Sequence, residues 1–346
     1  MAWKFQEKTE RKIGDKKLKI LIIRMSSFGD VLLTTPVIKA FKNKYPEVQI
    51  DFLVLENFKA AIKDFKGIDN LIIFDKKKND GFKNILKFAD KLKENNYDYI
   101  FDLHSKLRSK LISKRLNVKT FTYKKRAFWK TILVKSGLIK YKVDDTIVRN
   151  YFNAFKGFDL EYCGEDIEFN YGDNSKFLEY KSLPMMAPGA SKETKKWPLE
   201  YFGELAKLIY QKHNLKTVLI GGKEDIERCE EINKISGNNC INLAGKLSLK
   251  ESGAVLSLGK FLVTNDSGPF HIGRGVKIPT FVIFGPTSPG MFELGKRDTL
   301  IYANVSCSPC SLHGDKICPK KNFRCMKEMT SEKVLEIIDK KIEWED

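Results

Sequence analysis

An aspartate, a lysine and an Asp-Ser-Gly turn are the residues of this chain best suited by type and setting to group transfer. Asp30 closes the run Arg24-Met25-Ser26-Ser27-Phe28-Gly29-Asp30, directly after the apolar stretch Leu18 to Ile23. A carboxylate at such a helix start can accept a proton from a hydroxyl, or serve only as an N-cap or first-turn acid. Lys195, in Lys195-Lys196-Trp197-Pro198, precedes a helix introduced by Pro198, where an ammonium can meet a phosphate. Asn265-Asp266-Ser267-Gly268-Pro269 breaks a β-rich run and opens a helix. Gly268 lets backbone approach a bound group, Asp266 or Ser267 can cap the helix, and its free N–H groups and dipole favour an anion. This turn is expected to hold a diphosphate. Glu224, after Gly221-Gly222, can accept hydrogen bonds from a ribose or be ordinary helix-start charge. His271 reads as a packed helix residue, and the four histidines form no Ser-His-Asp or metal pattern.

These residues sit at the ends of strands in an alternating βα pattern. Leu18 to Ile23 is a nearly continuous apolar run of the buried parallel kind. Val31 to Tyr45 has helical spacing, Val48 to Leu55 and Leu71 to Phe74 read as strands, Gly81 to Asn95 as an amphipathic helix, and Tyr97 to Leu103 as a strand. The pattern resumes at Pro184 and runs through helices Trp197 to Lys212, Glu224 to Ser236 and Ser248 to Leu258 to the βαβ unit from Phe261 to Phe284. Alternation of this kind predicts an α/β protein with doubly wound parallel sheets, whose ligands bind beyond the carboxyl ends of the strands. Lys119 to about Tyr180 is basic, aromatic and weakly periodic, and is expected to hold helices covering the first sheet and then a linker at Tyr171 to Ser182. The expected divisions are an N-terminal arm (1–17), a first Rossmann-like domain (18–180), a second (181–330) and a last helix (331–346), with a cleft between the two domains.

At 346 residues the chain exceeds what one core usually supports, and 42% hydrophobic content is ample for two. No apolar run reaches the roughly 18 residues of a membrane span, and Met1 to Lys19 has no signal-peptide core. A cytoplasmic location with reduced thiols is expected. The net charge of +18 suits nucleic acid, an anionic membrane surface or a phosphate-rich substrate, or reflects lysines spread over solvated faces. There is no RNA-binding signature run, and no nucleic-acid partner is expected. Neither a Gly-x-Gly-x-x-Gly fingerprint nor a P-loop is present, which argues against a dinucleotide-dependent dehydrogenase.

Four stretches, in order, carry a family resemblance. Ile22 to Pro36 resembles the opening motif of the heptosyltransferases (glycosyltransferase family nine). Pro188-Gly189-Ala190-Ser191 to Lys195-Lys196-Trp197-Pro198 resembles their second motif, Asn265 to His271 the third, and Phe284 to Pro289 the fourth. The resemblance implies a GT-B fold of two facing Rossmann-like domains, an ADP-heptose donor and a lipopolysaccharide inner-core acceptor. It also implies inversion by direct displacement without a required metal or other cofactor. By motif, Asp30 matches the general base, Lys195 the diphosphate lysine and Ser191 a neighbouring donor contact. Asp266, Ser267 and Gly268 match the pyrophosphate turn and Glu224 a ribose-binding acid, while Asp102 to Ser109 resembles a first-domain loop facing the acceptor, which implies Arg108 as a cation for core phosphates. A lipid A-linked acceptor would put the basic first half against the inner face of the cytoplasmic membrane.

Cys307-x2-Cys310-x7-Cys318-x6-Cys325 offers four thiols for a structural zinc or iron–sulfur site, although the second pair does not repeat the spacing of the first. Buried free thiols or a redox-labile loop are the alternatives. Cysteine-rich tails of related form occur in some members of the family.

Overall fold

The computed structural model describes residues 18–123 and 145–344. The expected arm (1–17), the basic stretch beyond residue 123 and the end of the expected last helix lie outside these. The chain divides into two compact units, one comprising described residues 18–123 and 145–169 and the other residues from 170 onward.

The first unit is a parallel sheet of β1 (Lys19–Ile23), β2 (Gln49–Leu55), β3 (Asn70–Phe74), β4 (Tyr99–Asp102) and β5 (Thr120–Thr122), in the order β3-β2-β1-β4-β5. Its main helices are α1 (Phe28–Leu32), α2 (Thr35–Lys44), α3 (Phe82–Lys93), α4 (Leu107–Leu116) and α5 (Ile147–Ala154). β1 lies at the centre, with Ile22 paired to Phe52 on one side and Phe101 on the other, which is why its sequence is apolar on both faces. The helix expected over Val31 to Tyr45 starts earlier and is broken in two. Pro36 has no N–H to return to Leu32, and the Thr35 hydroxyl donates to that carbonyl instead (2.8 Å), as the Thr34 hydroxyl does to Val31 (2.6 Å).

The aromatic middle of the chain supplies part of the first unit's core. Phe155 stacks face to face on Phe101 (centroids 3.8 Å apart, 2° between planes), Phe121 stacks on its neighbouring face at 5.2 Å, and Phe158 stands edge-on to Phe41 and Tyr99. Rings packed this way need no helical or strand period, so the segment is strongly core-forming yet aperiodic in sequence.

The second unit is a parallel sheet of β6 (Pro184–Ala187), β7 (Thr217–Leu219), β8 (Cys240–Asn242), β9 (Phe261–Asn265), β10 (Thr280–Phe284) and β11 (Asp298–Tyr302), in the order β11-β10-β9-β6-β7-β8. Helices α6 (Leu199–His213), α7 (Ile226–Ile235), α8 (Leu249–Leu258), α9 (Gly268–Val276) and α10 (Ser331–Asp339) accompany it. The expected linker is docked here: Ser175–Tyr180 is a 3-10 turn beside α8, tied by Lys176 to Glu251 (2.6 Å) and Asn174 to Ser257 (3.0 Å). α10 stops at Asp339 rather than at Trp344. The Trp344 ring folds back onto His213 (3.6 Å, 7°), and its indole N–H donates to Asp339 (2.9 Å).

Both strand orders reverse direction beside the first strand of their unit, between β1 and β4 in one sheet and between β6 and β9 in the other. Loops leaving neighbouring strands at such a switch point part to opposite faces and leave a crevice. The turns after β1, β4, β6 and β9 are therefore the places the fold sets aside for ligands.

Candidate active site

Asp30 lies in α1, immediately beyond the β1 turn. One carboxylate oxygen, Oδ2, is saturated: it accepts from the Arg24 guanidinium (2.6 Å), the Ser27 hydroxyl (2.8 Å) and the Ser27 amide (3.2 Å). Oδ1 has no partner among the described residues, and the side chain is 28% exposed. Burial by itself would raise the carboxyl's pKa; the Arg24 charge and the Ser27 hydrogen bonds outweigh it and hold Asp30 below the ordinary aspartate value. One oxygen is thus fixed and the other is open, on a group kept ionised at neutral pH.

Arg24 was not among the sequence candidates, yet it organises this turn. Its side chain is only 6% exposed, a second guanidinium nitrogen donates to Leu103 O (2.6 Å) at the end of β4, and its plane lies 5.6 Å from the Tyr151 ring centroid. It therefore joins the two loops of the first switch point. Its sequence signal was an arginine directly after a fully buried strand, a place where an unpaired charge is not tolerated. In the β4 loop, Asp102 accepts from the amides of His104 (3.0 Å) and Ser105 (2.8 Å) and from the Ser109 hydroxyl (2.9 Å). Arg108, in α4, pairs with Asp80 (2.7 Å) and lies over the Phe74 ring (5.4 Å). Its charge is already engaged within the unit.

In the second unit the turns after β6 and β9 are cross-linked by Asn265. Its amide donates to Pro188 O (2.8 Å), and its carbonyl oxygen accepts from the Trp197 backbone (3.0 Å). The Lys195 ammonium and the Asp266 carboxylate consequently meet at 2.7 Å, both largely buried, and the Thr287 hydroxyl donates to the same Asp266 oxygen (2.8 Å). The expected lysine and the expected turn are brought together, while Asp266 adds something the motif did not reveal. It is the counter-ion that neutralises Lys195 before any ligand arrives.

Attraction for an anion then falls largely to α9. Its first turn leaves the amides of Ser267, Gly268 and Phe270 without intrahelical partners, Pro269 having none to offer. The Ser267 hydroxyl is buried without a hydrogen-bond partner among the described residues, a polar group that their fold alone does not satisfy. Ser191 is exposed at the β6 turn. Glu224 is exposed, its carboxylate folded over Gly222. Its neighbour Asp225 is the buried acid of this loop: a Cβ on Gly189 would fall 2.5 Å from that carboxylate, which also accepts from the Gly222 amide (3.0 Å). Burial raises the Asp225 carboxyl above its usual value.

The four clustered cysteines are free thiols. Burial pushes Cys325 up to about 12 and raises Cys310, with the neighbouring thiols adding to both. Among the described residues no three His, Cys, Asp or Glu side chains are grouped to hold a metal ion, and the zinc site that the spacing suggested is not confirmed. Cys325 instead packs into the second unit's core beside Met326.

Two Rossmann-like units, each built on a parallel sheet with a switch point, are the architecture of the GT-B glycosyltransferases. The chain belongs to glycosyltransferase family 9 (heptosyltransferase), whose family model matches residues 85–321, more than half of its length. It is 27% identical over 332 residues to lipooligosaccharide heptosyltransferase 2 of Campylobacter jejuni, covering 92% of this chain and 97% of that one. The family 9 glycosyltransferase structure from Veillonella parvula superposes with a TM-score of 0.77 at 20% identity, covering 94% and 97% of the two chains. The E. coli heptosyltransferase WaaC, solved with ADP-2-deoxy-2-fluoro heptose, gives 0.69 at 20% identity, covering 93% and 99%.

Proposed function

We propose that this enzyme transfers heptose from ADP-heptose to a sugar hydroxyl of the lipopolysaccharide inner core, with inversion at the anomeric carbon and Asp30 as general base. The observation that carries this reading is the asymmetry of the Asp30 carboxylate, with Oδ2 tied to Arg24 and Ser27 and Oδ1 without a partner among the described residues. The E. coli relative solved with a fluorinated ADP-heptose supports the choice of donor, and the lipooligosaccharide relative supports the class of acceptor.

In this scheme the acceptor oxygen attacks the anomeric carbon as its proton passes to Asp30 Oδ1. The bond from that carbon to the β-phosphate oxygen breaks, and ADP leaves with the electron pair. Charge growing on ADP is met by the α9 amides, the Ser267 hydroxyl and Lys195, so a bound metal is not required. The diphosphate competes with Asp266 for the lysine ammonium, and Ser191 and Glu224 are the donor contacts expected at the rim. The acceptor is lipid A-linked and reached from the cytoplasmic face of the membrane. Arg108 serves its phosphates only by exchanging Asp80 for them.

The test is mass spectrometry of a truncated core glycolipid incubated with ADP-heptose and with other nucleotide-sugars. Wild type should add one heptose from ADP-heptose. Asp30→Asn should bind ADP normally and transfer about 100- to 10,000-fold more slowly. Near-normal transfer by that variant would remove Asp30 as the base, and transfer from a different nucleotide-sugar alone would remove the donor assignment.

A further inference from the structure

The cysteine-rich segment has no part in the reaction as set out above, yet it touches the donor half from two sides. Thr194, buried in the turn before Lys195, is clasped by Asp315 of this segment. Its hydroxyl donates to Asp315 O (2.9 Å) and accepts from Asp315 N (2.8 Å), while its own amide donates to the same carbonyl (3.2 Å). Next to this clasp, Gly314 has φ +77° and lies against the lysine itself: a Cβ added there would stand 2.7 Å from Lys195 Cγ and 2.9 Å from Cδ. The other grip is on the turn that carries Thr287. The amides of Cys310 and Ser311 both donate to Pro286 O (2.9 Å each), and the Ser308 hydroxyl donates to Gly285 O. Thr287 in turn holds Asp266, the counter-ion of Lys195.

We propose that segment 307–325 is a positioning arm for the donor site, fixing the Lys195 stem through the Thr194–Asp315 clasp and Gly314 while it fixes the lysine's counter-ion through the Gly285–Thr287 turn. A lysine stem has several rotatable bonds, and a ligand that must order it loses affinity in doing so. Packing Gly314 on the stem and closing the turn beneath it removes that freedom before the nucleotide binds. The left-handed backbone at residue 314 and the lack of a side chain there are both needed for the approach. The arm touches no substrate; it acts through Lys195, and the proposal rests on the reading of Lys195 as a diphosphate ligand.

The test is ADP affinity by calorimetry, with melting temperature measured alongside, for wild type, Lys195→Ala, Thr194→Val, Thr194→Ser and Gly314→Ala. Thr194→Val keeps the shape and loses the hydroxyl that closes the clasp. It should weaken ADP about 5- to 10-fold, the scale of one or two lost hydrogen bonds, while lowering the melting temperature by only a few degrees. Thr194→Ser should restore affinity. In turnover, the donor KM should rise for Thr194→Val with kcat at saturating donor retained, which a merely structural role would not produce. Gly314→Ala, which pushes on the stem directly, should weaken ADP at least as much and serves as the readout if Thr194→Val fails to fold. Wild-type ADP affinity in folded Thr194→Val or Gly314→Ala would overturn the arm. Wild-type affinity in Lys195→Ala would instead overturn the diphosphate reading, and the arm with it.

Discussion

At the scale of single residues, the base is defined less by the aspartate than by what holds it. Arg24 and Ser27 keep Asp30 charged against the cost of burial, so it stays a carboxylate throughout the neutral range. With the folded value depressed, the pair's stabilisation is fully present above the unfolded-chain value of about 3.9 and is lost only as pH falls through the folded value. Arg24→Met removes the charge and leaves the burial. The Asp30 carboxyl should then rise, moving the acid limb of kcat/KM toward neutral pH; the stability lost relative to wild type should be greatest at neutral pH and shrink as pH falls through the raised value. Matched pH–rate profiles of the two proteins check this, and an unmoved acid limb would mean that another group sets it. The sequence placed Asp30 after a buried strand, and that much was legible. Its partner was not, because Arg24 and Asp30 are joined by a turn whose closure is a tertiary event. Lys195 and Asp266 make the same point more strongly, since 71 positions of chain separate two side chains that end 2.7 Å apart.

At the scale of elements, what the chain announces is strands and their ends. β1, β2, β3 and β4 all fall within two residues of their expected limits, because buried parallel strands are apolar runs stopped by polar turns. β5 and β11 were missed, since β5 has only three residues and β11 is half-exposed, and α5 was expected only as an unplaced helix of the middle stretch, because it joins a core built from unperiodic aromatics. The element contact that matters most is also invisible in pattern. Asn265 ends β9 and stitches it to the β6 turn. Replacing it by alanine leaves the buried Trp197 amide and Pro188 carbonyl unpaired. Asn265→Ala should lose about 2 to 6 kcal/mol of stability, at about 1 to 3 per orphaned group. Urea unfolding followed by tryptophan fluorescence measures it; a loss below about 1 kcal/mol would mean that water or a shifted backbone replaces the stitch.

At the scale of the whole molecule, the charge of +18 is a sum in the sequence and acquires a direction only in three dimensions. In the first unit α3 and α4 lie side by side, joined by the Arg108–Asp80 pair, and carry exposed Lys83, Lys87, Lys106, Lys110 and Lys114 on or beside them, next to Lys76, Lys77 and Lys78. Phe82 and Leu107, at the starts of the two helices, are 62% and 75% exposed among these lysines. Two apolar side chains in a basic field suit an anionic bilayer, where each lysine near the surface contributes about 1 kcal/mol and an apolar side chain adds its transfer energy. No described helix is long and apolar enough to cross a membrane, so attachment of this kind would be peripheral. The enzyme should therefore sediment with phosphatidylglycerol vesicles at low salt, remain free with neutral phosphatidylcholine, and be released as salt screens the charges. Reversing Lys83, Lys87 and Lys110 to glutamate removes three favourable contacts and adds three repulsive ones, which should weaken binding by about a hundredfold or more. ADP affinity should not change, because the expected nucleotide contacts belong to the other unit. Vesicle binding that survives both the reversals and high salt would assign the charge to the acceptor's phosphates or to solvent rather than to the membrane.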